Sequence, residues 1–172
     1  MKIEPGNLGI ESDLLALGLV FPKSAKEFDG NFEDIVARHP PHGASVLRAI
    51  RAMIQDNFGE AVSEFAHGLD KDQSGILEGY RGFVLMFLRL TAERGYGDKL
   101  LVWFDEQGLS ERYWPLHAAF DAYVHGEARL MDVNPEVRAA PKRIYGWLDS
   151  PRRATRKSDP VRSRSVEIAA AN

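Results

Sequence analysis

Cysteine is absent from the 172 residues, which excludes a disulfide framework, thiolate metal sites and a cysteine nucleophile. Long apolar runs are missing too. The longest, Phe83 to Leu88, is six residues, far short of the roughly 20 that cross a bilayer. Residues Met1 to Asp13 hold three acids and no apolar stretch of the kind a signal peptide carries, so the sequence predicts a cytoplasmic protein with no membrane partner. No Gly-Lys-Ser/Thr follows a glycine-rich turn, no serine sits in a Gly-x-Ser-x-Gly elbow, and no histidine pair has zinc-helix spacing. No catalytic residue and no cofactor is therefore expected. What is present, 44% hydrophobic and 10% aromatic residues, suffices for one real core.

The net charge of −3 hides an asymmetry. Residues 149–172 hold six Arg or Lys against Asp149, Asp159 and Glu167, a net +3 that leaves −6 on residues 1–148. Between Ser150 and Ser165 a single Val is the only bulky apolar residue, too little burial to offset chain entropy. The sequence thus predicts one helical domain over 1–148 and a basic, disordered tail over 149–172. No nucleic-acid partner is expected, because phosphate neutralisation needs cations clustered on an ordered face.

Apolar residues recur at helical spacing along the whole body. Ser12 is placed to cap a helix carrying Leu14, Leu15, Leu17 and Leu19, and Phe28, Phe32, Ile35 and Val36 follow up to Pro40-Pro41. Val46, Leu47, Ile50, Met53 and Ile54 mark a second stripe, and Ala61, Val62, Phe65 and Leu69 a third, with Asp56-Asn57-Phe58-Gly59 as the turn between them. Ile76 to Arg94 is the most hydrophobic stretch. Gly95-Tyr96-Gly97-Asp98 breaks it before Leu100, Leu101, Trp103 and Phe104, and Gly108 stands where a left-handed cap would close the helix. Tyr113, Trp114, Leu116, Phe120 and Val124 follow, with Pro115 in the first turn. Asn134-Pro135 predicts a last helix bearing Val137, Ala140, Ile144 and Leu148, kinked at Pro141.

Shifted by 38 residues, the chain matches itself: Val46, Leu47 and Ile50 fall on Val84, Leu85 and Leu88, Phe58-Gly59-Glu60 on Tyr96-Gly97-Asp98, Val62 on Leu100 and Phe65 on Trp103. Ala49, Phe58, Ala61, Phe65 and Gly68 stand at the small and aromatic intervals of a two-helix repeat, with Pro40-Pro41 ahead of them. In this the segment resembles the tetratricopeptide repeat. It departs from that pattern at Arg48, at Ala52, at Lys99 in the second copy, and in having no proline after Leu69. The resemblance implies an all-α fold of antiparallel αα-hairpins over about residues 24–148, stacked as a short TPR-like superhelix or right-handed helical array. It also implies a non-enzymatic module, adaptor or chaperone-like, that takes another protein or peptide in its groove. An ordinary helical bundle would give the same helices without a groove.

Two other chemistries have candidates. Asp70-Lys71-Asp72-Gln73-Ser74-Gly75 is similar to the start of an EF-hand calcium loop, with Asp70, Asp72 and Ser74 as ligands. Its twelfth position, however, is Arg81 instead of the bidentate glutamate, so a turn capping the next helix is the expected outcome. A small helical enzyme or ligand-binding bundle would use a pocket near His117. Among aromatics, Trp103 with Phe104 and Tyr113 with Trp114 are adjacent pairs that must divide between core and surface. Surface aromatics beside Arg make binding hot spots, which singles out Trp103, Tyr113, Trp114, His117 and Arg89 as partner-binding candidates.

Overall fold

The computed structural model describes residues 32–70 and 80–157. Among them every regular element is helical: α1 (Phe32–Val36), α2 (Pro41–Ile54), α3 (Phe58–Asp70), α4 (Arg81–Glu93), α5 (Gly97–Glu106), α6 (Leu109–Arg112), α7 (Trp114–His125), a 3₁₀ helix (Glu127–Asp132) and α8 (Ala139–Lys157). The chain is all-α there, as the stripes predict, and no helix among the described residues is long and apolar enough to cross a membrane. The Ser12 cap and its leucine stripe, Phe28, and the calcium-loop positions Asp72 and Ser74 lie outside the described residues. Where the sequence reads as one domain over 1–148, the fold divides into two compact units that meet in sequence at Gln107 and Gly108.

The first unit is two hairpins, α2–α3 and α4–α5, with α1 packed on α2 and α4 packed on α2. Pro41 opens α2 at a position that has no amide hydrogen bond to lose. Ala49, Ala61 and Gly68, the small positions of the repeat pattern, are all buried. Gly68 has a reason to lack a side chain: a Cβ there would come within 3.1 Å of Val46 Cγ2 and 3.2 Å of the His42 carbonyl oxygen. At the centre is Phe65, fully buried. Its ring stacks on Phe87 at 4.3 Å between centroids and meets Phe104 at 6.2 Å and Trp103 at 6.5 Å.

Both hairpin turns have the same backbone design. In the first, the Asn57 amide donates to Ala52 and the Asp56 amide to Met53; in the second, the Tyr96 amide donates to Thr91 and the Gly95 amide to Ala92. Each is a Schellman cap, whose pivotal residue needs a left-handed backbone. Asp56 (φ 61°) and Gly95 (φ 80°) occupy that position.

This geometry corrects the repeat register. In the first helices the offset is 38: Val46, Leu47, Ala49, Ile50 and Met53 are buried, and so are Val84, Leu85, Phe87, Leu88 and Thr91. From the turn onward it is 39. Asp56 matches Gly95, and Ala61, Val62 and Phe65 match Leu100, Leu101 and Phe104, all buried. One extra residue sits between the last core position of α4 and its cap. The mismatch of Lys99 with Ala61 disappears, since Lys99 is an exposed neighbour of the true counterpart, Leu100.

The second unit is built on the packing of α7 against α8, which buries Leu116, Phe120 and Tyr123 of one and Ile144, Tyr145 and Leu148 of the other. Gly108, at φ 65°, makes the left-handed cap expected of it, and Pro115 lies in the first turn of α7. Two expectations for the last helix fail. Asn134 forms a turn instead of a helix cap: its side-chain oxygen accepts the Glu136 amide and its carbonyl the Val137 amide. The helix starts only at Ala139, so Pro141 falls in the first turn, where its missing donor costs nothing and no kink is required. The helix also runs on through Pro151 to Lys157, past the Leu148 at which the apolar pattern stops. Pro151 leaves the Trp147 carbonyl without its helical donor, and the Ser150 hydroxyl donates to that oxygen at 3.0 Å.

Phe65→Ala should destabilise the protein by about 3–5 kcal/mol, through lost transfer energy and the cavity left among α3, α4 and α5. Urea denaturation of the two proteins measures it, and a loss below about 1 kcal/mol would place Phe65 outside the core.

Candidate binding surface

The two ends of the first unit carry different chemistry. At the turn end, the hairpins are tied together. Arg94, which caps α4, donates through Nη2 to the Ile54 carbonyl at 3.1 Å, an orphan acceptor at the C-terminus of α2. Its Nη1 lies 4.0 Å from Asp56 Oδ1. Phe58 and Tyr96 stack at 5.0 Å, and Lys99 covers the Tyr96 ring at 5.1 Å to its centroid. The Tyr96 hydroxyl donates to the Asp56 carboxylate. That hydrogen bond, with the negative charge itself, holds the phenol above its ordinary pKa of 10.0, while Arg94 pulls the other way.

At the opposite end, His39, His42 and Tyr80 form a cluster that sequence reading does not single out. The Tyr80 hydroxyl and His39 Nδ1 share a hydrogen bond of 3.3 Å, and the His42 ring meets Tyr80 edge-on at 5.2 Å. His39 is only 8% exposed. The Tyr80 ring lies against the backbone of Gly43, so closely that a Cβ on Gly43 would overlap it. Burial raises the Tyr80 pKa.

Along α2, Glu33 of α1 bridges two cations: Oε2 to Arg48 Nη2 at 3.2 Å and Oε1 to Arg51 Nη1 at 3.5 Å. The Arg51 guanidinium also lies over the Phe32 ring at 4.3 Å. Thirty-eight residues on, the corresponding positions of α4 are Met86 and Arg89, both half-buried. Arg89, a partner-binding candidate, donates from Nε to the carbonyl of Leu85 in its own helix. Trp103 is half-buried on α5, edge-on to the buried Phe104 at 5.5 Å. That pair therefore divides between core and surface as the sequence requires.

The remaining candidates belong to the second unit. Tyr113 and His117 are joined by a backbone hydrogen bond of 3.0 Å, so they stand one helical turn apart, with Trp114 beside them. All three sit at the start of α7. Trp114 is 38% exposed, Tyr113 and His117 are half-buried, and the Arg112 guanidinium lies over the Tyr113 ring. Further along, Asp121 Oδ1 lies 2.7 Å from His125 Nδ1 and its Oδ2 3.6 Å from Arg129 Nε. The structure thus groups Tyr113, Trp114 and His117 on one helix start and places Arg89 and Trp103 on successive helices of the other unit. Among the described residues, no three His, Asp or Glu side chains come together as a metal site. In comparisons with protein-family models, curated proteins and solved structures, nothing matched this chain.

Two measurements test the ends. Gly43→Ala should destabilise by about 1–3 kcal/mol because its methyl displaces the Tyr80 ring, and most of that cost should vanish in a Tyr80→Ala background; additive losses would show that the ring is not the obstacle. At the turn end, the raised Tyr96 pKa means that its contribution to stability is complete below pH 10 and is lost as pH rises through the higher folded value. Ultraviolet titration should find this tyrosine ionising later than a free phenol, and Asp56→Asn should bring it back toward 10.0.

Proposed function

We propose that this protein is a non-enzymatic protein–protein interaction module whose stacked, tetratricopeptide-like hairpins offer a groove to a peptide or helix of a partner. The observation that carries this reading is the junction of the two hairpins. Their first helices pack on each other, and their turns are joined by the Arg94–Ile54 hydrogen bond and the Phe58–Tyr96 stack. Successive hairpins joined in this way set their first helices side by side, the arrangement from which helical arrays build extended binding faces.

The chain's own α1 supports a chemistry for the ligand. It meets α2 with an aromatic ring beneath Arg51 and a carboxylate between Arg48 and Arg51. The equivalent row on α4, Met86 and Arg89, suits the same kind of segment: short, amphipathic, one apolar side chain followed by an acid. In this reading Arg89 and Trp103, and in the second unit Tyr113, Trp114 and His117, are contact residues. Large aromatics and Arg supply most of the energy of such contacts. No catalytic residue and no cofactor takes part.

The reading is tested by affinity capture from native extract with the intact chain and with Met86→Glu/Arg89→Glu. A partner retained by the first and reduced at least tenfold with the second, at unchanged melting temperature, is the expected result. Retention that is indifferent to the two substitutions, or no retained protein, would remove this face from consideration.

A further inference from the structure

Four large apolar side chains stand well out of the surface among the described residues: Val102, Trp114, Met131 and Val137. Met131, 68% exposed, is the most open of them, and it alone is followed directly by an acid, Asp132. Exposure of this kind usually goes with a yielding loop, yet this loop is held. The Arg138 guanidinium donates to the Met131 carbonyl at 2.9 Å and to the Val133 carbonyl at 2.7 and 3.0 Å, which fixes the end of the 3₁₀ helix. Asp132 stays open to a stronger partner, since Arg129 approaches it only to 4.0 Å and is shared with Asp121. A loop fixed in this way has already lost the freedom that binding would otherwise cost.

An apolar side chain followed by an acid is also what α1 brings to α2, where Phe32 lies beneath Arg51 and Glu33 joins Arg48 to Arg51. The carriers are alike in size: α1 has five residues and the 3₁₀ helix six. On α4 the equivalent row is Met86 and Arg89, both half-buried. Inside its own helix Arg89 spends only Nε, on the Leu85 carbonyl, which leaves the far edge of the guanidinium to meet a carboxylate. Resting on the reading that this row takes a short amphipathic segment, we propose that its occupant is Met131–Asp132 of a second copy of this chain. Met131 lies along Met86, whose flexible thioether chain adapts to it, and Asp132 pairs with Arg89. Net charge agrees on both sides. Residues 81–94 carry Arg81, Arg89 and Arg94 against Glu93, a net +2, and residues 127–136 carry Glu127, Asp132 and Glu136 against Arg129, a net −2. Opposed patches of this kind steer encounter and fix which surfaces meet. The two patches differ, so the contact is heterologous.

A contact this small belongs to the weak class of association, with a dissociation constant on the order of 0.1–1 mM. Sedimentation equilibrium of the purified full chain, from about 10 μM to about 1 mM, covers that range. The parent should self-associate, and Asp132→Arg or Arg89→Glu should each leave a monomer at unchanged melting temperature. Mixing those two variants should restore a 1:1 pair, because the loop of one still meets the α4 row of the other. Arg89→Glu/Asp132→Arg in a single chain should self-associate again, with the charges exchanged. If Arg89→Glu folds poorly, Met131→Ser, at an exposed position, must still abolish association. The proposal is overturned by a parent that stays monomeric throughout, or by folded variants that remain monomeric when mixed. It is equally overturned if association is lost with Arg89→Glu but indifferent to Asp132→Arg and Met131→Ser, since another segment of the second copy would then fill the row. The wider binding role of α4 is read separately, by capture with Met86→Glu/Arg89→Glu. A foreign protein held through those two residues by a parent that does not self-associate would sink the second-copy occupant alone.

Discussion

Phe65 is the residue on which the first unit depends. A helix hairpin alone buries one stripe per helix and leaves its other flanks wet, so two hairpins must share something to become one core. Here they share a ring. Phe65 projects from α3 and stacks on Phe87 of α4 while touching Phe104 and Trp103 of α5. Small residues lie buried within the first hairpin itself. Ala49 and Ala61 are fully buried, and Gly68 admits Val46 and the His42 carbonyl at distances that a methyl group would contest. Close helix approach and a large central ring are two halves of one packing solution, since density can be kept only by pairing large with small.

The first unit was legible in the sequence wherever a period was involved. The stripes of α2, α3, α4 and α5 repeat at helical spacing, and the burial of Val46, Ile50, Phe65 and Leu88 follows from it. The slip of one residue at the second turn was not legible by pattern matching, because Tyr96-Gly97 imitates Phe58-Gly59 and attracts the alignment. Backbone chemistry held the better signal: Gly95 is the residue suited to a left-handed cap, and pairing it with Asp56 gives the observed register. The His39–His42–Tyr80 cluster was hidden for another reason. Its members are 41 residues apart at the extreme, and nothing local marks them as neighbours.

The second unit shows how prolines mislead when taken as punctuation. Pro141 reads as a kink and the last apolar residue, Leu148, as the end of the pattern, yet the helix accommodates Pro141 and runs on through Pro151. The first costs nothing in the opening turn, and the second is offset by the Ser150 hydroxyl, which reaches back to the Trp147 carbonyl. A proline stops a helix by orphaning an acceptor and crowding the preceding turn; a hydroxyl immediately before it removes part of that penalty. Of the contact candidates, the grouping of Tyr113, Trp114 and His117 could be read from helical spacing. The separation of Arg89 and Trp103 into a different compact unit could not, because no composition shift marks the boundary at Gln107.

Asp56 gives the two hairpins a dependence on one another that neither has in isolation. A left-handed backbone at a residue other than glycine is a local expense of about 1 kcal/mol, and at this turn it is offset from outside: the Tyr96 hydroxyl and Arg94 hold the Asp56 carboxylate, and Arg94 also takes up the last free carbonyl of α2. All of those groups belong to the second hairpin. Both turns close through backbone bonds within their own hairpins, but only the first draws side-chain support for its left-handed residue from the other. The coupling therefore runs one way: loosening the second hairpin withdraws that support from Asp56, whereas the glycine of the second turn needs none from the first.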